Sequence, residues 1–114
     1  GNVKDRTVLM VDDMISTAGT VCEAARMMRD HGAKDVIVAC THPVFVGLAL
    51  ERLAEAPISR VVVTDTIPCD ERCQPIEDKL AELTVAELLG EAIHRIHHDQ
   101  SVSSLFRSNG GGKR

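Results

Sequence analysis

The chain has 114 residues, of which 44% are hydrophobic, and a formal net charge of −4. This length allows one domain with a sizeable core, and the core must be aliphatic because there are two Phe and no Trp or Tyr. The acidic balance and the lack of stacking aromatics argue against a nucleic-acid partner. No apolar run approaches the roughly 18 residues of a membrane span. Four irregularly spaced cysteines and no visible secretory leader predict reduced thiols and a cytoplasmic location.

Short apolar segments predict four β-strands. The predicted strands cover residues 7–11, 36–40, 60–64 and about 80–83. The second is apolar throughout, which is typical of a strand covered on both faces, and the last is expected at the edge of the sheet. Between the last two strands we predict an irregular loop over residues 65–74.

Segments with a helical spacing of apolar residues alternate with these strands. The predicted helices cover residues 19–31, 46–54 and 85–97. Gly32 is expected to close the first helix, and Thr84 with Glu87 three residues later predicts a capping box at the start of the last one. Strands alternating with helices imply right-handed crossovers, and therefore an α/β fold with a mostly parallel sheet.

Residues 8–20 are the most informative segment of the chain. An apolar run ends in two carboxylates, Asp12 and Asp13, which we place at the C-terminal end of the first strand. In open α/β sheets this is the edge where ligands bind. A loop of small residues then opens into a helix, whose first N–H groups lack partners and whose dipole favours an anion. The loop consists of Ser16, Thr17, Ala18, Gly19 and Thr20.

One kind of ligand, a sugar phosphate, suits both ends of this motif. A phosphate would lie against the loop amides, where Gly19 lets it approach the backbone. A vicinal diol would donate to Asp12 and Asp13, which can only accept when ionised. The intervening residues hold phosphate and carboxylates apart, since extended chain spans roughly 3.3 Å per residue. The alternative is a simple capped turn, which we disfavour because adjacent acids are costly at a strand end unless something binds there.

The motif resembles the phosphoribosyl-pyrophosphate (PRPP) loop that phosphoribosyltransferases share with ribose-phosphate pyrophosphokinase, the PRPP synthetase. Further segments, which narrow the resemblance to the synthetase family, cover residues 2–6, 40–45, 61–68 and 92–106. The resemblance implies a three-layer sandwich with a mostly parallel, phosphoribosyltransferase-like sheet. It also implies that residues 1–107 are the ribose-5-phosphate-binding C-terminal domain of a synthetase, with a flexible tail over residues 108–114.

The resemblance further implies a reaction, in which the diphosphoryl group of ATP is transferred to the C1 hydroxyl of ribose 5-phosphate to give PRPP and AMP. The loop from Ser16 to Thr20 would hold the 5-phosphate, and Asp12 and Asp13 would orient the ribose directly or through Mg²⁺, the implied cofactor. The family takes its ATP contacts and catalytic Lys and Arg residues from preceding sequence. We therefore assign no catalytic residue here and expect a piece of a larger protein, inactive alone. Ser16 departs from the Asp with which the family loop usually begins.

The resemblance also implies a homo-oligomer, typically a hexamer, with interfaces near residues 101–106, and neither a nucleic-acid nor a membrane partner. Two alternatives stay open. One is a non-catalytic, synthetase-like regulatory subunit. The other is a salvage phosphoribosyltransferase, although no aromatic residue is placed to stack on a base. For Lys4 and Arg6 the sequence leaves two roles open, phosphate steering and solvated charge.

Some histidines and cysteines offer metal ligands, but the pattern favours other roles. His94 and His98 have the i, i+4 spacing that can share a cation, yet a helix C-terminus favours histidine by its dipole alone. Cys69 and Cys73 would be half of a zinc site, and no second pair completes it. His42 lies near the ligand-facing edge, and we expect it to pack or to form a loop hydrogen bond.

Overall fold

The computed structural model describes residues 1–107. The chain divides into two compact units, residues 1–83 and a unit that begins at Thr84, and each is described by itself. The predicted tail over residues 108–114 lies outside the described residues. The division of the chain into a domain over 1–107 and a tail therefore stays a prediction.

The first unit is built on a four-stranded sheet in the order β1-β2-β3-β4. Its strands are β1 (Thr7–Ile15), β2 (Asp35–Pro43), β3 (Arg60–Thr64) and β4 (Leu80–Leu83). Each neighbouring pair is parallel, which confirms the predicted α/β class and its parallel sheet. The helices between the strands are α1 (Gly19–Asp30), α2 (Ala49–Glu55) and a 3₁₀ helix over Glu71–Ile76.

Two strands are longer than predicted. β1 was expected to end at residue 11 and β2 at residue 40, but they continue side by side until Ile15 pairs with Pro43. The added residues are mostly polar, and a backbone ladder does not require apolar side chains at an exposed sheet end. Asp12 and Asp13 therefore lie within the C-terminal half of β1 and not after its end, which corrects the prediction. The bounds of β3 and β4 are as predicted.

Glycines with positive φ and a capping aspartate determine where the helices of this unit begin and end. Gly32 has φ +89° and its N–H bonds to the Arg29 carbonyl at 2.9 Å, so it ends α1 as predicted. The predicted second helix began at residue 46, whereas α2 begins at Ala49, because Gly47 with φ +59° lies in a turn. The predicted irregular loop contains the start of the 3₁₀ helix, where the Asp70 carboxylate accepts the Arg72 N–H at 3.0 Å.

The core of the first unit lies on one face of the sheet. Alternate residues of β2 and β3 are fully buried there, together with residues of the helices, and include Val36, Val38, Leu53, Val61, Val63 and Ile76. On the other face Leu9 is 61% and Val11 is 72% exposed, and Ile37 is half-buried. Within this unit β2 is therefore fully buried on one face. Cover of both faces of β2 stays a prediction. The third layer of the predicted sandwich stays a prediction.

The second unit contains α3 (Ala86–His97) and a short 3₁₀ helix over Ser103–Phe106. The N-cap position of α3 falls at Val85 and not at the predicted Thr84, whose hydroxyl accepts the Ala86 N–H at 3.1 Å. No residue of α3 is buried, so its predicted apolar face is exposed. Arg95 holds the unit together, since it pairs with Glu91 on the same helix and donates to the Ser101 carbonyl at 3.1 Å. Among the described residues, no helix has both the length and the apolar character needed to cross a bilayer.

Candidate functional site

The loop between β1 and α1 lines a cavity of about 180 Å³ at the C-terminal edge of the sheet. All five loop residues from Ser16 to Thr20 contribute to its wall, and Asp12 does so from within β1. Asp13 is not part of that wall. The structure therefore brings Asp12 and the predicted loop together, and places Asp13 beside them.

The two carboxylates are exposed and belong to adjacent residues of β1. The Asp12 carboxylate accepts the Asp13 N–H at 2.8 Å, and the Asp13 carboxylate accepts the Met14 N–H at 2.8 Å. Hydrogen bonding to the Asp12 carboxyl, and then to the Met14 N–H, lowers the pKa of Asp13 below its usual 3.8. Asp13 is therefore ionised near neutral pH, when it can accept hydrogen bonds from hydroxyls or bind a cation.

The strained residue of the loop is Ala18, which the sequence analysis included in the loop without predicting its backbone conformation. It occupies the N-cap position of α1 with φ +62° and makes no side-chain cap bond. A Cβ added at Gly19 would meet only Arg52 Nη1 at 3.7 Å and Thr17 Oγ1 at 3.9 Å, which are ordinary contacts. The first amides of α1 thus have no side-chain cap, and the strain that often accompanies a functional site lies one residue before the glycine.

Hydrogen bonds from distant segments fix the orientation of the loop. The carbonyls of Ile15 and Ser16 accept the N–H groups of Phe45 and Val46 at 3.1 and 2.9 Å. The next carbonyl, that of Thr17, accepts Arg52 Nη1 from α2 at 2.9 Å. In a trans peptide the following N–H points opposite to the carbonyl. The N–H groups of Thr17 and Ala18 are therefore turned away from the segment that holds the carbonyls.

A second polar cluster lies at the same edge, at the ends of β2 and β3. His42 Nδ1 is 2.9 Å from Thr66 Oγ1, and the hydroxyls of Thr64 and Thr66 donate to the Thr41 carbonyl at 2.7 and 3.0 Å. The expected loop hydrogen bond of His42 is confirmed, although His42 lies within β2 and not after it. The proximity of His42 makes a further, small contribution to the low pKa of Asp13.

Lys4 and Arg6 do not lie near this edge. The Arg6 carbonyl accepts the Lys34 N–H at 2.9 Å, and the Lys4 side chain packs against Gly32, beyond the end of α1. Both positions precede β1, whose nine residues separate them from the loop by roughly 30 Å at about 3.3 Å per residue. The position of these two residues before β1 favours solvated charge, the second of the two roles that the sequence leaves open.

The histidines and cysteines that the sequence offered as metal ligands have other surroundings in the structure. His98 Nδ1 bonds to the His94 carbonyl at 2.8 Å, and their rings lie 4.3 Å apart. Cys69 and Cys73 line a separate cavity of about 530 Å³, and burial raises the pKa of the Cys69 thiol to about 12. Among residues 1–107, no three His, Cys, Asp or Glu side chains are grouped so as to hold a metal ion.

Known proteins match this chain over nearly its whole length. The family model described as phosphoribosyl synthetase-associated domain matches residues 1–107. A ribose-phosphate pyrophosphokinase of Rhodopirellula baltica is 56% identical over 108 residues, which are 94% of this chain and 33% of that protein. One from Bordetella pertussis is 49% identical over 106 residues, which are 93% of this chain and 34% of that protein.

A solved structure of a phosphoribosylpyrophosphate synthetase also matches this chain. The phosphoribosylpyrophosphate synthetase from Mycobacterium smegmatis matches with a TM-score of 0.82 and 40% identity, over 87% of this chain and 33% of that one. This chain thus spans about a third of the length of the relatives it matches. Because the family model covers residues 1–107 of the 114, the chain belongs to the phosphoribosyl synthetase-associated domain family, and ribose-phosphate pyrophosphokinases are its homologues.

Proposed function

We propose that this chain supplies the ribose-5-phosphate-binding part of a ribose-phosphate pyrophosphokinase. The parent enzyme would transfer the diphosphoryl group of ATP to the C1 hydroxyl of ribose 5-phosphate, giving PRPP and AMP. The observation that carries the proposal is the shared cavity, in which uncapped amides at the start of α1 lie on the same wall as the Asp12 carboxylate. The names of the homologues support the same activity.

The geometry favours one orientation of the sugar. The 5-phosphate lies against Ser16–Thr20, where the N–H groups of Thr17 and Ala18 point away from the bonded carbonyls and the helix dipole favours an anion. The ribose hydroxyls lie towards Asp12, whose carboxylate accepts hydrogen bonds. Fixing the sugar at both ends holds the C1 hydroxyl in place, and this orientation is a large part of what phosphoryl transfer requires.

The residues of this edge also fit Mg²⁺. The carboxylates of Asp12 and Asp13 are exposed and adjacent in the chain, and each accepts a backbone N–H. Mg²⁺ prefers one or two carboxylates together with waters and substrate oxygens. When bound, the ion supplies positive charge that offsets the charge of the phosphoryl groups. The part played by this chain is to hold two ionised carboxylates next to the ribose.

Ser16 is the position at which this loop departs from the Asp of the family pattern. Its hydroxyl can donate to a phosphate oxygen, which a carboxylate cannot do. The substitution also removes one negative charge beside the phosphate. We propose that the loop of this chain binds the 5-phosphate at least as readily as an Asp-containing loop would.

The remaining parts of the activity come from outside this chain. About two thirds of each relative lies beyond the match, and we propose that this portion supplies the ATP contacts and the catalytic cations. The C-terminal placement and the homo-oligomeric, typically hexameric, assembly implied by the resemblance stay predictions. The parent gene sequence on both sides of this segment checks the placement, and light scattering on the parent protein checks the assembly.

A binding experiment with a matched control tests the phosphate loop. Gly19→Val puts a branched side chain at the first residue of α1, where the protein itself leaves room for a Cβ. We expect it to abolish the binding of ribose 5-phosphate and of inorganic phosphate, measured by calorimetry. Gly90→Val makes the same change in α3, where nothing lies within 4 Å of an added Cβ, and it should leave both affinities unchanged. Unchanged affinity in Gly19→Val would contradict the proposal.

A further inference from the structure

The side chain of Arg52 extends from α2 to the phosphate loop. Arg52 does not belong to the sequence motif that identifies the loop. Its Nη1 donates to the Thr17 carbonyl at 2.9 Å, across 35 positions of the chain. The same nitrogen lies 3.7 Å from the position that a Cβ of Gly19 would occupy, at the first residue of α1. A guanidinium therefore lies against the loop that the proposed function assigns to the phosphate, on the side of its carbonyls.

The hydrogen bond from Arg52 determines a peptide orientation. With the Thr17 carbonyl held by the guanidinium, the N–H of Ala18 must point the opposite way. Ala18 is buried at 6% exposure and has φ +62°, a strained conformation for alanine that persists only where the surroundings impose it. Arg52, together with the N–H of Val46 on the Ser16 carbonyl, supplies that constraint.

Several N–H groups of the guanidinium make no hydrogen bond within the described part of the chain. It carries five N–H groups in a planar fork, and within the described part of the chain its hydrogen bonding is confined to the Thr17 carbonyl. Arginine stays charged at any ordinary pH. Arg52 is not part of the cavity wall, so it influences an anion at the start of α1 through its charge and through the Thr17–Ala18 peptide, not by direct contact.

We infer that Arg52 is a positioning residue of the 5-phosphate site, which holds the Thr17–Ala18 peptide in its anion-binding orientation and adds a positive charge beside the loop. The inference rests on the proposed function, because it assigns a residue to the same site. It extends that function by making phosphate affinity depend on α2, an element outside the loop motif.

The chain offers a matched control in Arg29. This arginine also donates through Nη1 to backbone carbonyls of a loop, those of Ala33 at 2.9 Å and of Lys34. That loop follows the C-terminal end of α1, so it lies at the opposite end of the helix from Ser16–Thr20. Replacing Arg29 removes the same kind of bond without touching the proposed site.

The test measures the affinity for inorganic phosphate by calorimetry. Four proteins are compared, the wild-type chain, Arg52→Met, Arg52→Lys and Arg29→Met, and the melting temperature of each is measured as well. A charge-assisted hydrogen bond contributes enough for Arg52→Met to weaken phosphate binding roughly 10–100-fold. Arg52→Lys keeps the charge but loses the planar fork, so we expect an intermediate loss and a salt dependence close to that of the wild type. Arg29→Met should lower the melting temperature and leave the phosphate affinity unchanged.

The outcomes separate the inference from the proposed function. If the wild-type chain binds no phosphate, the proposed function itself fails. If the wild type binds and Arg52→Met binds equally well, the inference is overturned and the proposed function stands. Equal losses in Arg52→Met and Arg29→Met would show a general loss of stability and would also overturn it. If Arg52→Met does not fold, Arg52→Lys with wild-type affinity would still refute the inference.

Discussion

Two residues at this sheet edge, Ala18 and Cys40, have unusual surroundings, one in its backbone conformation and the other in its burial. Ala18 adopts a left-handed backbone conformation that glycine would adopt without strain. Cys40 is a thiol with 4% exposure in the core next to Asp12. Ala18 lines the cavity that we assign to ribose 5-phosphate, and Cys40 is the strand partner of Asp12 in the wall of that cavity.

The stability of the protein should fall in alkaline solution because of Cys40. Burial raises the pKa of this thiol from 9.0 to about 11, and the Asp12 carboxylate acts in the same direction. A raised folded-state pKa means that the unfolded chain loses the proton first, so the contribution is complete below about pH 9 and lost as the pH rises towards 11. Urea denaturation at about pH 8 and pH 10.5 measures the change in the free energy of unfolding. Cys40→Ala should reduce that change, and an identical change in this variant would contradict the assignment.

Among the secondary-structure elements, the sequence correctly predicts the bounds of those strands that consist mainly of apolar residues. The bounds of β3 and β4 are correct because apolar residues stop where the strands stop. β1 and β2 extend further because paired backbones continue through Asp12, Met14 and His42, and apolar patterning carries no signal for a strand end that contains polar residues. The same limit explains why Asp12 and Asp13 were placed after β1.

The loop between β1 and α1 was recognised from its composition, but its support was not. Ser16–Thr20 are identifiable because small residues and hydroxyls before a helix have a known use. The bonds from Phe45, Val46 and Arg52 join the loop to segments about 30 residues away. Helical periodicity says which face of α2 is apolar, but not which carbonyl a charged residue on that helix will contact. Such contacts require the folded structure.

For the whole molecule, we expect no PRPP synthesis by these 114 residues alone. Transfer requires the charge of ATP to be neutralised, yet Lys4 and Arg6 lie at the far end of β1, and Arg52 is engaged at the phosphate loop. Loss of one well-placed electrostatic stabiliser typically costs ~10²–10³ in rate. An AMP-release assay with ribose 5-phosphate, ATP and Mg²⁺ checks this, with the full-length parent as the positive control. Robust AMP release by the isolated chain would show that the catalytic cations lie within it.

The most direct measurement is a titration of the ¹⁵N-labelled chain with ribose 5-phosphate, followed by amide resonances. The central claim is that the loop before α1 binds the 5-phosphate beside Asp12. It predicts that the largest shifts occur at Thr17, Ala18, Gly19 and Thr20, and that ribose without phosphate produces none of comparable size there. Shifts confined to the larger cavity around Cys69, or no saturable shift anywhere, would contradict the claim.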